Sequence, residues 1–296
     1  MGTRPTVALL VVLSASAFAG EVEKPRSLSE ILRWIDHTDH DLRLRARRAA
    51  KRCVLERIRQ ETPDGMRFLT GTLVVSKDGV RSQDGFYLAV CEVTVGEYRV
   101  FVKATARKGP SLPRNDALPV TNVTLVDARA YARWKGARLP TADEWRHAAT
   151  GGGLFIYPWG NRYNQRCANT SEFGTGRIQP PGGLKAAYST AGIADLLGNA
   201  AEWTATSKGV GRRERFLILG GSYKRKKTRP DTITYRHRAE ARMIDVGFRL
   251  AAALPEVKPS DPVPPGLWKP PALPAESPPP DKTEEDDGAP SSSDPR

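Results

Sequence analysis

Apolar residues recur at helical spacing near the start of the chain, first as Leu28, Ile31, Leu32 and Ile35. Ser27 or Ser29 is placed to cap that run, and Leu42, Ala46, Ala49, Cys53 and Leu55 predict a second helix over 41–60. A single helical hairpin cannot bury its own apolar face, so this one needs the main domain or a partner to cover it. From residue 63 the pattern changes. Residues 68–75 and 86–93 are rich in strand formers, and Lys77-Asp-Gly79 and Gln83-Asp-Gly85 between them are turn signals. Three helices are then announced by one device, a Thr three residues ahead of an acid: Thr94/Glu97, Thr124/Asp127 and Thr141/Glu144. The second of these predicts a helix over 125–135 with Val126, Ala130 and Trp134 on one face and Gly136 at its end; the third stops at Gly151-Gly-Gly153. Gly, Pro, Asn and Thr dominate 157–191, and strand patterns return at 216–219 and 246–251. Strands, helices, long loops and strands again describe an α+β domain.

The two ends read differently. Arg4, the apolar run from Val7 to Phe18, and Ala17-Phe-Ala19 at the cleavage positions predict a signal peptide over 1–19. The run is too short for a bilayer span, so the expectation is an exported, periplasmic or extracellular protein with no membrane span. At the other end, 254–296 is crowded with Pro, Ser and acidic residues and predicts a disordered tail. From Pro255 onward it carries nine acids and four bases, so the formal +13 of the chain leaves +18 on the remainder. The three cysteines, Cys53, Cys91 and Cys167, allow one disulfide in an oxidising compartment and form no zinc pattern. His37-Thr-Asp-His40 reads as a polar turn, because no spacing there makes metal ligands converge.

Several motifs fall in series: Glu92-Val-Thr-Val-Gly-Glu-Tyr98, Pro119-Val-Thr121, Arg138-Leu-Pro-Thr-Ala-Asp-Glu-Trp145, Tyr157-Pro-Trp-Gly-Asn161, Gly198-Asn-Ala-Ala-Glu-Trp203, Gly220-Gly-Ser-Tyr223 and Val246-Gly-Phe-Arg249. Read in this order, they resemble the formylglycine-generating enzyme (sulfatase-modifying factor) family. The resemblance covers 63–253, with 20–62 as a helical hairpin ahead of it, and implies a loop-rich variant of the C-type lectin fold with bound calcium. It implies that Asp195 and Glu202 supply carboxylates and Gly198 and Ala200 carbonyls to one calcium ion, a ligand set of hard oxygens. A second calcium loop would start at Asn169 with the carbonyl of Thr170, but its downstream Asp has no counterpart between Gly174 and Gly183.

The family's oxidation chemistry uses two cysteines after Gly-Gly-Ser to hold copper(I), which needs soft thiolates. Here that stretch reads Tyr223-Lys-Arg-Lys-Lys-Thr-Arg229 and Tyr235-Arg-His-Arg238, with no sulfur before Met243. Four histidines (37, 40, 147 and 237) do not supply the separate helical domain of the iron-dependent relatives, so neither copper nor iron is expected. Arg225, Lys226, Lys227, Arg236, Arg238 and Arg242 replace the thiols with charge suited to carboxylate, sulfate or phosphate. The expectation is a catalytically silent, calcium-stabilised scaffold binding an anionic protein, peptide or glycan, and not nucleic acid. The alternative is a metal-dependent oxidoreductase of the formylglycine-generating or siderophore-maturation type, with Ser222, Tyr223, Tyr235 and His237 as the residues of interest.

Overall fold

Three Thr side chains start three helices in the computed structural model, which describes residues 27–36, 38–76, 79–226, 229–230 and 235–263. Among these are α1 (Leu28–Leu32), α2 (His40–Gln60), α3 (Val95–Thr105), α4 (Leu125–Trp134) and α5 (Ala142–Thr150). Thr94, Thr124 and Thr141 each accept from the backbone N–H three residues on, and the acid at that position reaches back to the cap N–H. All three are complete capping boxes, each satisfying two helix-end donors that would otherwise lack partners. The signal-peptide expectation over 1–19, His37 and the tail beyond residue 263 lie outside the described residues.

The chain divides into two units, residues 55–257 and residues 1–54 with 258–296. In the smaller unit, α1 is shorter than its apolar spacing suggests, and Ile35 falls in the turn after it. The proline-rich segment is ordered at its start. Leu28 N donates to Asp261 O at 2.8 Å and Ser29 N to Pro259 O at 2.6 Å, so backbone bonds hold residues expected to be free.

In the larger unit, β1 (Met66–Leu69), β4 (Phe86–Ala89) and β9 (Ala251–Ala253) make an antiparallel sheet in the order β1-β4-β9. β2 (Thr72–Ser76) and β3 (Gly79–Gln83) form a separate hairpin, so the strand expected over 68–75 breaks at Thr70 and Gly71. β5 (Ala201–Lys208), β6 (Arg215–Leu219), β7 (Tyr235–His237) and β8 (Val246–Gly247) form a second sheet in the order β7-β6-β5-β8. The strand expected over 246–251 is thus two short ones, and Phe248 to Leu250 carry the chain from one sheet to the other. Trp145 on α5 is fully buried among Leu69, Phe86, Leu88, Ile193, Leu196, Leu217 and Leu219. Burying side chains of this size is the main source of stability here, at roughly 25 cal/mol per Å² of apolar area.

The face of α4 corrects the sequence reading. Of the expected face Ala130 is buried but Val126 and Trp134 are 46% and 39% exposed, while Leu125, Ala128, Tyr131 and Ala132 are buried. The inward stripe wins because Tyr131 joins an aromatic cluster, with ring centroids 5.8 Å from Tyr98, 5.4 Å from Phe101 and 5.5 Å from Phe248. Between Gly151 and Ala200 there is no strand and no helix beyond the 3-10 turns Gln165–Cys167 and Lys185–Ala187. This long irregular tract, the one expected to be loop-rich, carries most of the candidate site.

Candidate functional site

The loop entering β5 turns on left-handed backbone at Asp195, Gly198 and Asn199, with φ of 55°, 87° and 56°. At Gly198 glycine is required twice over. A Cβ there would lie 2.4 Å from the carbonyl oxygen of Asn169, on a backbone that side chains seldom adopt. Gly198 N donates to Gly220 O and Asn199 N to Asn169 O, both at 2.8 Å, so one turn ties together three loops. Trp203, fully buried, anchors the strand that follows by donating its indole N–H to Val123 O at 3.0 Å.

Behind this turn sits a cluster of buried charge. Glu202 accepts from Arg249 through both oxygens, at 2.6 and 2.7 Å, and from the Trp145 indole N–H at 2.8 Å. Arg249 spends its remaining donors on the carbonyls of Ala89, Val90 and Ala194. Asp195, 3% exposed, accepts from Gly182 N at 2.6 Å. Glu92, 2% exposed, accepts from Asn199 Nδ2 at 3.0 Å, and its second oxygen has no hydrogen-bond partner. Burial, reinforced by Asp195, pushes the Glu92 carboxyl well above the usual carboxylate range. Burial likewise raises Asp195, against the opposing Gly182 hydrogen bond. Three carboxyl groups facing one guanidinium leave this cluster short of positive charge, and Glu92 answers by holding its proton more tightly.

That shortage bears on calcium. The donors are hard oxygens, the class calcium prefers, and Asp195 fits a ligand role. Glu202 is already engaged by Arg249 and Trp145, but its Oε1 takes only one of these bonds and keeps a lone pair for a cation. Among the described residues no three His, Cys, Asp or Glu side chains converge as a metal site. A calcium ion here would rest on Asp195 and on carbonyls such as those of the buried Gly198 and Ala200.

The loop expected to hold a second calcium is crossed by hydrogen bonds. Asn169 Oδ1 accepts from the Thr175 hydroxyl at 2.5 Å, and its Nδ2 donates to Arg177 O and to Asn199 Oδ1. Its carbonyl is held by Asn199 N, and Thr170 is buried. Asn169 is thus a hub for hydrogen bonds among loops, and the Thr175 hydroxyl already takes one lone pair of the Oδ1 expected to face calcium.

Past Gly220-Gly-Ser222 the expected basic loop divides. Arg225 lies over the Tyr235 ring at 4.5 Å, with its Nε 3.1 Å from the Tyr235 hydroxyl. Tyr235 and the fully buried Ser222 both donate to Asp245 Oδ2, at 2.8 and 2.7 Å. Two of the alternative catalytic residues therefore serve to pin the loop on Asp245. His237 packs on Tyr235 at 5.9 Å, while Arg236 alternates to the other side of β7. Arg238 donates to Arg212 O. Arg242 is committed to Asp127 at 2.9 Å and to Asn122 O, so it is not a free ligand-binding cation. Lys226 is exposed, and Lys227 lies outside the described residues.

All three cysteines are free. Burial and the neighbouring Glu92 push the Cys91 thiol up to about 11, and burial also raises Cys53 and Cys167. None is set up as a thiolate at neutral pH. Sequence reasoning missed Glu92, Asn199 and Asp245 as network residues. Glu92 and Asn199 stood inside quoted motifs, but a motif does not reveal burial.

The model of the sulfatase-modifying factor enzyme 1-like domain matches residues 56–254. The inactive C-alpha-formylglycine-generating enzyme 2 of Bos taurus is 31% identical over 174 residues, covering 52% of this chain and 56% of that protein. The formylglycine-generating enzyme of Mycobacterium tuberculosis is 38% identical over 101 residues, covering 30% of this chain and 33% of that protein. The chain thus spans about half the length, or less, of these relatives. Among solved structures, PvdO from Pseudomonas aeruginosa aligns with a TM-score of 0.53 at 20% identity, over 64% of this chain and 94% of that one. That likeness shows the shared formylglycine-generating-enzyme type of lectin-like α+β fold.

Proposed function

The chain belongs to the sulfatase-modifying factor enzyme 1-like family, and from that premise we propose that it is an exported, catalytically silent scaffold binding an anionic partner. One observation carries the reading. Where the family resemblance places copper-binding thiolates, this chain has Lys224, Arg225 and Lys226, and Arg225 is stacked on Tyr235. A guanidinium and ammonium groups cannot hold copper(I), which binds soft sulfur. They suit carboxylate, sulfate or phosphate, and the +18 balance outside the tail favours approach of such groups. A relative named as an inactive form of the enzyme supports the same reading. In it, Arg225, Lys226, Lys227, Arg236 and Arg238 meet the partner, and Arg242 does not. Calcium would neutralise the acidic cluster at Asp195 and stiffen the turn at Gly198 and Ala200.

The test is metal analysis of the purified full chain, together with oxygen uptake in the presence of a cysteine-containing peptide. Neither stoichiometric copper or iron nor oxygen consumption is expected. Either one overturns the proposal in favour of a metal-dependent oxidoreductase.

A further inference from the structure

The loop of residues 157–165 does something the proposed function does not use. Tyr157 and Gly160 exchange backbone hydrogen bonds, N to O at 2.8 Å and back at 3.0 Å, and close a tight turn around Trp159. The Trp159 ring stacks on the buried Tyr157 at 5.7 Å with 8° between planes, and its indole N–H is spent on Arg162 O at 2.9 Å. Tyr163 buttresses Tyr157 from another side at 5.5 Å and is itself held by its hydroxyl bond to Glu172 at 2.8 Å. The platform is therefore fixed in tilt and rotation before any ligand arrives.

What remains of the indole lines an open groove of about 720 Å³, together with Asn161, Arg162, Tyr163, Asn164 and Gln165. That volume is within the roughly 300–1,000 Å³ of small-ligand clefts. Asn161 spends its Oδ1 on Ile156 N and Asn164 its Oδ1 on Arg166 N, each at 3.0 Å, so these carbonyls hold the loop. Their NH₂ groups, and the whole Gln165 amide, make no bond among the described residues. The lining holds two aromatic rings, Trp159 and Tyr163, three side-chain amides and a guanidinium, with no carboxylate and no aliphatic side chain.

We propose that this groove is a saccharide-binding site, in which a pyranose ring lies on Trp159 and its hydroxyls are bonded by the amides of Asn161, Asn164 and Gln165. The C–H bonds on one face of a sugar ring carry partial positive charge and suit the negative face of an indole. Amides donate and accept in fixed directions, which matches hydroxyls that do both. The aliphatic pocket that would seat a peptide side chain is absent from this lining. None of the basic-loop side chains lines this groove, although the loops meet where Ser171 N donates to Arg225 O, so the variants below touch the groove alone.

The test titrates the full chain with neutral β-linked oligosaccharides of glucose and of N-acetylglucosamine, following tryptophan fluorescence and calorimetric heat. Saturable binding is expected with at least one series, persisting in 0.5 M salt, unlike contact through the basic loop. Trp159→Ala should weaken it roughly tenfold or more. Gln165→Ala, at an exposed rim position that leaves the aromatic cluster intact, should weaken it severalfold and keep the melting temperature. The proposal is overturned if neither series binds at millimolar concentration, or if binding survives Trp159→Ala in folded protein. Binding of a nucleobase or an aromatic peptide in place of both sugars overturns it equally.

Discussion

Arg249 grips Glu202 through two parallel hydrogen bonds of 2.6 and 2.7 Å, with neither side chain exposed at all. The pair joins the last motif of the chain to the strand that leaves the candidate site. Breaking such a pair from one side strands a buried charge, which costs about 3–5 kcal/mol. Glu202→Gln and Arg249→Met should each lower the melting temperature of this roughly 200-residue unit by about 6–20 °C. The double variant Glu202→Gln/Arg249→Met should recover part of that loss, because neither charge is then left alone. Thermal unfolding followed by circular dichroism distinguishes this from independent roles, which would give additive losses.

Calcium removal is expected to act through Asp195. A chelator should lower the melting temperature of the wild-type chain, and added calcium should restore it, while Asp195→Asn should respond to neither. If Asp195→Asn keeps the calcium response, Asp195 is not the ligand; if wild type shows none, calcium has no place in this fold.

Glu92 gives the acidic cluster a pH dependence in chelator. Its folded-state pKa stands well above the ordinary 4.5, with burial as the main cause and Asp195 next. The folded chain therefore holds a proton that the unfolded chain has released. Glu92 contributes fully below about 4.5 and loses that contribution as pH rises through the raised value. Glu92→Gln mimics the protonated form, so its melting temperature relative to wild type should climb as pH rises from 4.5 to 8. A difference that is flat, or that falls with pH, would reverse the sign argued here.

Gly198→Ala tests the turn that ties three loops together. The added methyl would meet the Asn169 carbonyl at 2.4 Å on backbone of φ 87°, where no side-chain motion relieves the contact. A cost on the order of 3–5 kcal/mol is expected, visible as a lowered denaturation midpoint.

Helix starts were readable from the sequence because a capping box is local chemistry, complete within four residues. Thr94, Thr124 and Thr141 needed no tertiary information. The inward face of α4 was not readable. Val126, Ala130 and Trp134 recur at a helical spacing just as Leu125, Ala128 and Tyr131 do, and only the distant Tyr98 and Phe248 decide which stripe is buried. β5 was hidden for a similar reason. Its first half is buried and its second half is not, so neither an alternating nor a continuous apolar pattern emerges. At the site, the resemblance named Glu202 and Arg242 as candidates, but their partners Arg249 and Asp127 lie 47 and 115 positions away. Pairing at that range is a property of the fold: it fixes Glu202 against Arg249 and commits Arg242 to Asp127.

That last distinction separates charges that bind from charges that hold. Arg242 sits 2.9 Å from Asp127 and also bonds Asn122 O, whereas Lys226 is exposed and Arg225 leans on an aromatic ring. Neutralising Arg225, Lys226 and Lys227 together should weaken binding to a polyglutamate probe by roughly tenfold at low ionic strength and flatten its salt dependence. Arg242→Ala should leave that binding within about twofold of wild type, since its charge is already balanced by Asp127, and should instead cost a little stability. Binding measured across 0.05–0.5 M salt decides the matter. If Arg242→Ala matches the triple variant, all six cations act as one diffuse field and the loop has no privileged role. If only the triple variant loses affinity, the anion meets the chain where the family's thiolates would stand.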